Sequence, residues 1–367
     1  MAAAAPLQGA TAVSAPPAAL VEAVQTNCHI ADARHAQDLS LCTFLLQMRE
    51  FHRWERGLAL DAPLERGEVG AWIARREALW AELEAREFVR LPVGAAAEGS
   101  APFDLAAVNA ELQPQGWVYG AGWAGAQRAS FFLAALSELR PLEDEGLVVQ
   151  VCGHEWARGL FAPPAVLCGD TIVLRRESMA RWLWEKFEVF GLKRADGPFK
   201  AVARAYGLEH DFLGGLPRML DEQGETLILH EIGEHRAGRR LGPAWGEVRL
   251  GLDDRRGELL LRAVRDHLAD LGTTLPVLLA RGDAVSLHFW FAGYDGLRRQ
   301  LFPGLADAYR AWCEGDGGAA LEQACAAGAC HFDDLAARVL ELHLAHGSTA
   351  ARPIAALLSA PQAVCGP

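Results

Sequence analysis

Six consecutive residues, HEIGEH at positions 230–235, bring two imidazoles and two carboxylates together. They follow an apolar run that predicts a helix anchored in a core, where such side chains are costly to bury unless they are paired or bound to a metal. A helix advances about 100° per residue, so Glu231 and His235 lie about 40° apart, as do His230 and Glu234. Histidine and carboxylate at this spacing are common metal ligands, and the segment therefore predicts a metal site.

The two histidines are one residue too far apart for the usual zinc-peptidase helix. That motif is HExxH, with both histidines on one face and the glutamate as general base. His230 and His235 are five residues apart and diverge by about 140° on a regular α-helix. A single-turn π-bulge at Gly233, the most deformable residue of the segment, would return both to one side. The HExxxH spacing resembles the zinc motif of the dipeptidyl-peptidase III family, and this local resemblance implies a zinc-dependent hydrolase.

A third ligand is expected downstream. In the zinc peptidases called gluzincins, a Glu-x-x-x-Asp pattern supplies one ligand and an aspartate that orients a ligand histidine. The segment RAVRDHLAD offers Asp266-x-x-x-Asp270 on an amphipathic helix, with Asp in place of the Glu. The resemblance implies zinc held by His230, His235 and Asp266, with Asp270 behind a ligand histidine and water at the open fourth position.

Four further side chains are candidates for the same site. Glu231 is expected to activate the metal-bound water for attack on a polarised carbonyl, and Glu234 is a further carboxylate donor. Downstream, His288 and Tyr294 in SLHFWFAGYDG could stabilise a developing oxyanion. Together these residues predict a metal-dependent hydrolase that uses zinc.

Two other interpretations remain open. If the helix is regular, Glu231 and His235 resemble half of a carboxylate-bridged di-iron or di-manganese oxidase site, whose other half could be Asp32-x-x-His35 with Glu50. Alternatively, the histidines and glutamates form a polar face that is ion-paired with nearby arginines and holds helices together in a non-catalytic interaction protein. Those arginines are Arg236, Arg239 and Arg240.

The elements expected around these residues divide the chain into five segments. Helical periodicity covers much of the N-terminal part, and the small, Gly- and Pro-containing stretch LPVGAAAEGSAP has no period and is the best candidate linker. The predicted segments are a disordered tail (1–19), a helical region (20–90), the linker (91–102), a domain carrying the metal site (103–347) and a flexible tail (348–367).

In the middle of the chain, the helical pattern gives way to patterns typical of strands. The patterns of residues 130–139 and 147–152 predict a hairpin, and that of residues 170–176 predicts a third strand. Together these strands predict a small antiparallel sheet. Helical patterns then continue from 177 to 346. The predicted fold is α+β and helix-dominated, with a zincin-like or helical-bundle C-terminal half.

Composition excludes some partners. With 51% hydrophobic and 22% charged residues the chain is typical of globular proteins, and its formal charge of −12 disfavours attraction to nucleic acid or anionic lipid. The N-terminus lacks the pattern of a signal peptide, no run of 18 or more apolar residues occurs, and the eight cysteines show no CxxC pair. We therefore expect a cytoplasmic protein without nucleic-acid or membrane partners. The predicted hydrolase would act on a small-molecule or peptide substrate.

Several longer segments resemble an uncharacterised bacterial family, a domain of unknown function. They are NCHIADARHAQD (27–38), LCTFLLQMREFHRWE (41–55), TIVLRRESM (171–179), LHEIGEHRAG (229–238) and RAVRDHLAD (262–270). The resemblance covers most of the chain and implies no activity.

Overall fold

The computed structural model of the chain describes residues 13–94, 98–124, 128–193 and 196–366. The chain divides into two units, the first ending at Lys186 and the second beginning at Phe187. The division does not fall in the predicted linker, 91–102, of which 95–97 lie outside the described residues. Leu91 is fully buried in the first unit, and its backbone forms an isolated antiparallel bridge with Ser100.

The first unit combines helices with one sheet. Its helices are α1 (Ala18–His35), α2 (Leu41–Glu55), α3 (Arg66–Leu83) and α4 (Leu105–Leu112), and α5 (Arg176–Lys193) begins in it. Its strands are β1 (Trp117–Ala124), β2 (Arg128–Leu142), β3 (Leu147–Arg158), β4 (Ala165–Cys168) and β5 (Thr171–Arg175).

The sheet has the strand order β1-β2-β3-β5-β4. All neighbouring pairs are antiparallel except β3 and β5, which are parallel. The predicted antiparallel sheet is therefore mixed. The short strand β4 reverses the chain between β3 and β5, so β5 enters beside β3 in the same direction and β4 takes the outer edge.

Helix α1 packs on this sheet through one apolar face. Leu20, Val24 and Cys28 recur every four residues, are buried, and lie in one core cluster with Phe131 and Leu133 of β2. The predicted N-terminal tail, 1–19, lies outside the described residues up to position 12. Its remainder is attached to the unit, because the carbonyl of Ser14 accepts a hydrogen bond from the Trp117 indole at 2.7 Å.

The second unit is helical throughout its described residues. After the end of α5 it contains α6 (Pro198–Tyr206), α7 (Phe212–Leu241), α8 (Pro243–Gly251), α9 (Arg255–Ala269), α10 (Leu275–Arg281), α11 (Ala284–Ala292), α12 (Gly296–Leu301), α13 (Pro303–Cys313), α14 (Ala319–His346) and α15 (Ala351–Ser359). Leu261, Val264, Leu268 and Leu271 recur at three- and four-residue steps and contribute to its core. The prediction of a helix-dominated α+β fold is confirmed.

A π-turn joins α9 to α10. It spans Asp270–Thr274, directly before Leu275 and Pro276. Proline cannot donate the regular helical hydrogen bond and its ring clashes with the preceding turn, so a wider turn accommodates it without breaking the helix.

The end of the chain belongs to the folded second unit. A flexible tail is predicted over 348–367, but α15 lies within it, and Ile354 and Leu358 are buried in the core. Their four-residue spacing anchors one face of this helix.

Among the described residues, none of the helices combines the length and the apolar composition needed to span a bilayer.

Candidate metal centre

Three side chains converge where helix α7 packs against helix α9. His230 and Glu234 lie one turn apart on α7, and Asp266 lies on α9. One ligand atom of each, an imidazole nitrogen or a carboxylate oxygen, lies within 4.8 Å of the other two. Donor atoms that bind one zinc ion at about 2.0–2.2 Å lie about 3–4 Å from one another. A small inward movement of these side chains would therefore suit a metal ion.

Gly233 lets the two helices approach closely. A Cβ atom at this position would lie 2.5 Å from the carbonyl oxygen of Ala269 and 2.9 Å from its carbonyl carbon. The predicted π-bulge at Gly233 is wrong, because α7 is α-helical throughout and the π-turn of this region lies in the partner segment, Asp270–Thr274. The glycine is needed for close packing rather than for distortion.

The regular geometry of α7 separates the two histidines. His235 lies about 140° around the helix from His230, and it does not belong to the group formed by His230, Glu234 and Asp266. Its Nε2 atom is buried and has no hydrogen-bond partner among the described residues. The structure thus brings together Asp266 and His230 of the predicted ligand set, with Glu234 in the place expected for His235.

Asp270 orients His230. Nδ1 of His230 lies 2.8 Å from Oδ1 of Asp270, which leaves Nε2 as the nitrogen able to bind a metal. Burial lowers the pKa of His230, but the attraction of the Asp270 carboxylate outweighs it and raises the pKa to about 10. Without a metal, His230 is therefore protonated at neutral pH, and a metal would have to displace a proton from it.

Asp270 is held on its other side by an arginine from α12. Its carboxylate is 1% exposed, and Oδ2 lies 3.1 Å from Nη1 of Arg298. Burial alone would raise the pKa of Asp270, but His230 and Arg298 hold it well below its ordinary value. The role of Asp270 behind a ligand histidine stays a prediction.

Glu234 is paired with an arginine that the sequence did not single out. Oε2 of Glu234 lies 2.5 Å from Nη2 of Arg265 on α9. Burial nevertheless raises the pKa of Glu234. The carboxylates of Asp266 and Glu231 add to this rise, and the cations Arg265 and His230 oppose it. Glu234 therefore holds a proton more tightly than an ordinary glutamate does.

Glu231 is buried beside this group. It is 9% exposed, and its charge acts on both His230 and Glu234. Its role as the base stays a prediction.

The two predicted oxyanion residues have partners elsewhere. The Tyr294 hydroxyl donates to the carbonyl of Phe302 at 2.7 Å within the core. Nδ1 of His288 lies 2.6 Å from the hydroxyl of Tyr309. Their role in stabilising an oxyanion stays a prediction.

The N-terminal candidates for a two-metal site lie in the first unit, each beside its own partners. Both carboxylate oxygens of Asp32 accept the backbone N–H of Leu160, at 3.0 and 2.9 Å. Nδ1 of His35 lies 3.3 Å from Asp38. Glu50 forms ion pairs with arginines on its own helix at 3.0 and 3.1 Å.

Sequence reasoning missed two contributors, Arg265 and Arg298. Arg265 stands directly before Asp266 and could have been noticed as a charge on the same helix. Arg298 has no such signal, because only the packing of α12 against α9 brings it to Asp270.

Two family models match the chain. The N-terminal domain of a family of unknown function, DUF6866, matches residues 19–175, and the C-terminal domain of the same family matches residues 180–361. The chain belongs to the DUF6866 family. No curated protein and no solved structure shows significant similarity to it.

Proposed function

We propose that this DUF6866 protein is a metal-dependent enzyme whose divalent cation is bound by His230, Glu234 and Asp266. The observation that carries the proposal is the convergence of these three donors within 4.8 Å. The contact between Asp270 and His230 supports it, because metal-binding histidines commonly donate their other ring N–H to a carboxylate.

The donor set suits zinc, manganese or iron. One imidazole nitrogen and two carboxylate oxygens are ligands that all three ions accept, and three protein ligands leave at least one position for water or substrate. Such an open site is typical of catalytic rather than structural zinc.

We favour hydrolysis with zinc as the reaction class. A bound cation would act as a Lewis acid and lower the pKa of a water molecule. Glu231 follows His230 in the chain and is 9% exposed, so it could hold or accept a proton next to the centre. Manganese or iron at the same ligands is the alternative.

Reconstitution with a metal tests the proposal. Metal-depleted protein is titrated with Zn²⁺, Mn²⁺ or Fe²⁺, and bound metal is counted by elemental analysis. We expect about one ion per chain in the wild type, loss of binding in His230→Gln, and wild-type binding in His235→Gln. The two variants remove neighbouring histidines of one helix, of which only His230 belongs to the donor group.

Three results would contradict the proposal. They are no metal above background in the wild type, equal binding by His230→Gln, and equal loss in both variants. The last would favour the HExxxH ligand set instead.

The ion pairs favour a second candidate, a non-catalytic polar contact between helices. Arg265 is paired with Glu234 and Arg298 with Asp270, so these carboxylates have cationic partners without a metal. In that case His230→Gln would lower the free energy of unfolding without changing the metal content.

A further inference from the structure

A second charged cluster lies in the first unit, where the ends of β3 and β5 meet the start of α5. Three arginines form it: Arg158 ends β3, Arg175 ends β5, and Arg181 lies on α5. They are 7%, 1% and 7% exposed, respectively. The carboxylates of the cluster are Glu155, which is 1% exposed, and Glu177. We call these five residues the arginine cluster.

Both carboxylates of the arginine cluster are already engaged. Oε2 of Glu155 lies 2.5 Å from Nη2 of Arg175, and Oε1 of Glu177 lies 3.2 Å from Nη2 of Arg181. The other oxygen of Glu155 accepts a hydrogen bond from the Ser178 hydroxyl at 2.6 Å. Neither carboxylate forms an ion pair with the third arginine, Arg158.

Arg158 is the arginine of the cluster that forms no ion pair among the described residues. Its Nε donates to the carbonyl of Gly159 at 3.2 Å, and among the described residues no carboxylate lies within ion-pair distance of it. Burial lowers the pKa of Arg158 to about 10, which still leaves it protonated at neutral pH. The guanidinium carbon of Arg158 lies 5.8 Å from the centroid of the Trp54 ring, and the buried carboxylate of Asp32 acts on it from beyond ion-pair distance.

Several N–H groups of the cluster also lack acceptors. Among the described residues, four buried guanidinium nitrogens have no hydrogen-bond partner: Nη1 of Arg158, Nε of Arg175, and Nε and Nη1 of Arg181. A buried charge and buried donors are costly unless an acceptor meets them. The missing partner is thus rich in oxygen acceptors, and an anion suits donors that are all cationic.

We infer that the arginine cluster binds a small oxyanion, a phosphate or carboxylate group. Guanidinium groups donate pairs of parallel N–H bonds that match the oxygens of both groups. The cluster reaches solvent at His154, whose side chain is 62% exposed and whose Nδ1 lies 3.1 Å from Glu177. A ligand that carries such a group on a larger body would leave that body on this side.

The test measures anion binding to the complete chain. Sodium phosphate and sodium acetate are titrated separately into metal-depleted, chelator-free protein, with the ionic strength held constant by sodium chloride, and the melting temperature is recorded. We expect a saturable rise with at least one of the two anions. The arm with the larger effect identifies phosphate or carboxylate as the group recognised.

Variants assign the effect to the cluster. Arg158→Gln should weaken anion binding on the order of tenfold or more, because it removes a buried charge-assisted contact. The matched control is Arg66→Gln, since Arg66 is an exposed arginine at the start of α3, and this variant should bind like the wild type. If Arg158→Gln does not fold, Arg158→Lys keeps the charge, loses the paired N–H donors, and should also bind more weakly.

Two results would overturn the inference. One is the absence of a saturable effect of either anion beyond that of sodium chloride. The other is an equal response of the wild type and the folded Arg158 variant. The site is independent of the proposed metal centre, so His230→Gln should retain the wild-type response to the anion, and failure of one proposal is distinguishable from failure of the other.

Discussion

The carboxylate of Asp270 is 1% exposed and contacts two cations, His230 at 2.8 Å and Arg298 at 3.1 Å. Asp270→Asn removes its charge and leaves the other two charges without their counterion. Breaking one side of a buried ion pair costs about 3–5 kcal/mol, so we expect a loss of about 3 kcal/mol in the free energy of unfolding. Urea denaturation of metal-free protein measures this loss.

Asp266→Asn is the control for that experiment. Asp266 lies on α9, four residues before Asp270, and is less buried, so its change should cost less than about 1 kcal/mol. Equal losses in the two variants would show that Asp270 does not anchor the network.

Arg265 is ion-paired with the carboxylate of Glu234, which is one of the proposed metal ligands. Its guanidinium lies 2.5 Å from Glu234, and its charge opposes the approach of a cation. Arg265→Met keeps much of the side-chain volume and removes this competition, so we expect zinc affinity to rise about tenfold. Calorimetric titration measures the affinity, with Arg262→Met, an exposed arginine on the same helix, as the control. Unchanged or weaker binding by Arg265→Met would count against competition.

The sequence defined part of this site. His230 and Glu234 share a helix face, so a regular helix already predicts that they meet. Asp266 and Asp270 were indicated by the resemblance of their segment to the gluzincin pattern. Whether His235 lies on the same face as His230 depends on whether the helix is distorted, and the sequence alone does not decide this.

At the scale of elements, the close approach of α7 and α9 depends on Gly233. Gly233→Ala would place a Cβ 2.5 Å from the carbonyl oxygen of Ala269. Backbone cannot yield as a flexible side chain can, so we expect a loss of about 2 kcal/mol or more in the free energy of unfolding, together with weaker metal binding.

Gly238 provides a matched control five residues later on α7. A Cβ at Gly238 would meet nothing closer than Nη2 of Arg265 at 3.9 Å. Gly238→Ala should therefore be neutral, or stabilise by about 0.5–1 kcal/mol because alanine favours helix. Similar effects of the two substitutions on stability would contradict the packing role of Gly233.

Some elements carried a clear local signal and others did not. The periodicity of α9 is visible in the sequence, because its apolar residues recur at helical spacing. Strand β1 was missed, because Gly120 and Gly122 interrupt its alternation. Gly120 is needed there, since a Cβ would lie 1.9 Å from the ring of Phe132 on the neighbouring strand. Such a requirement arises from strand pairing and has no local signature.

At the scale of the whole molecule, the boundary between units was the hardest feature to predict. A stretch rich in small residues suggested a linker at 91–102, yet the division lies between Lys186 and Phe187, inside helix α5. A continuous helix gives no break in periodicity. The two family models end and begin near this point, at residues 175 and 180.

The stability of the metal-free protein should depend on pH through His230. Its pKa is about 10 in the folded chain against an ordinary value of 6.5. Because the folded state holds this proton more tightly, the stabilisation is complete below pH 6.5 and is lost as the pH rises toward 10. We expect the loss to amount to about 2–4 kcal/mol, since the side chain is a quarter exposed.

The difference in the free energy of unfolding between the wild type and His230→Gln separates the contribution of His230 from those of other groups that titrate at high pH. Urea denaturation of the wild type and of His230→Gln, each without metal, should give free energies that differ most near pH 6 and converge toward pH 10. His235→Gln should follow the wild-type profile, because His235 does not belong to the donor group. Parallel profiles for the wild type and His230→Gln would mean that Asp270 does not hold a proton on His230. In that case Asp270 would contribute to stability through Arg298 alone.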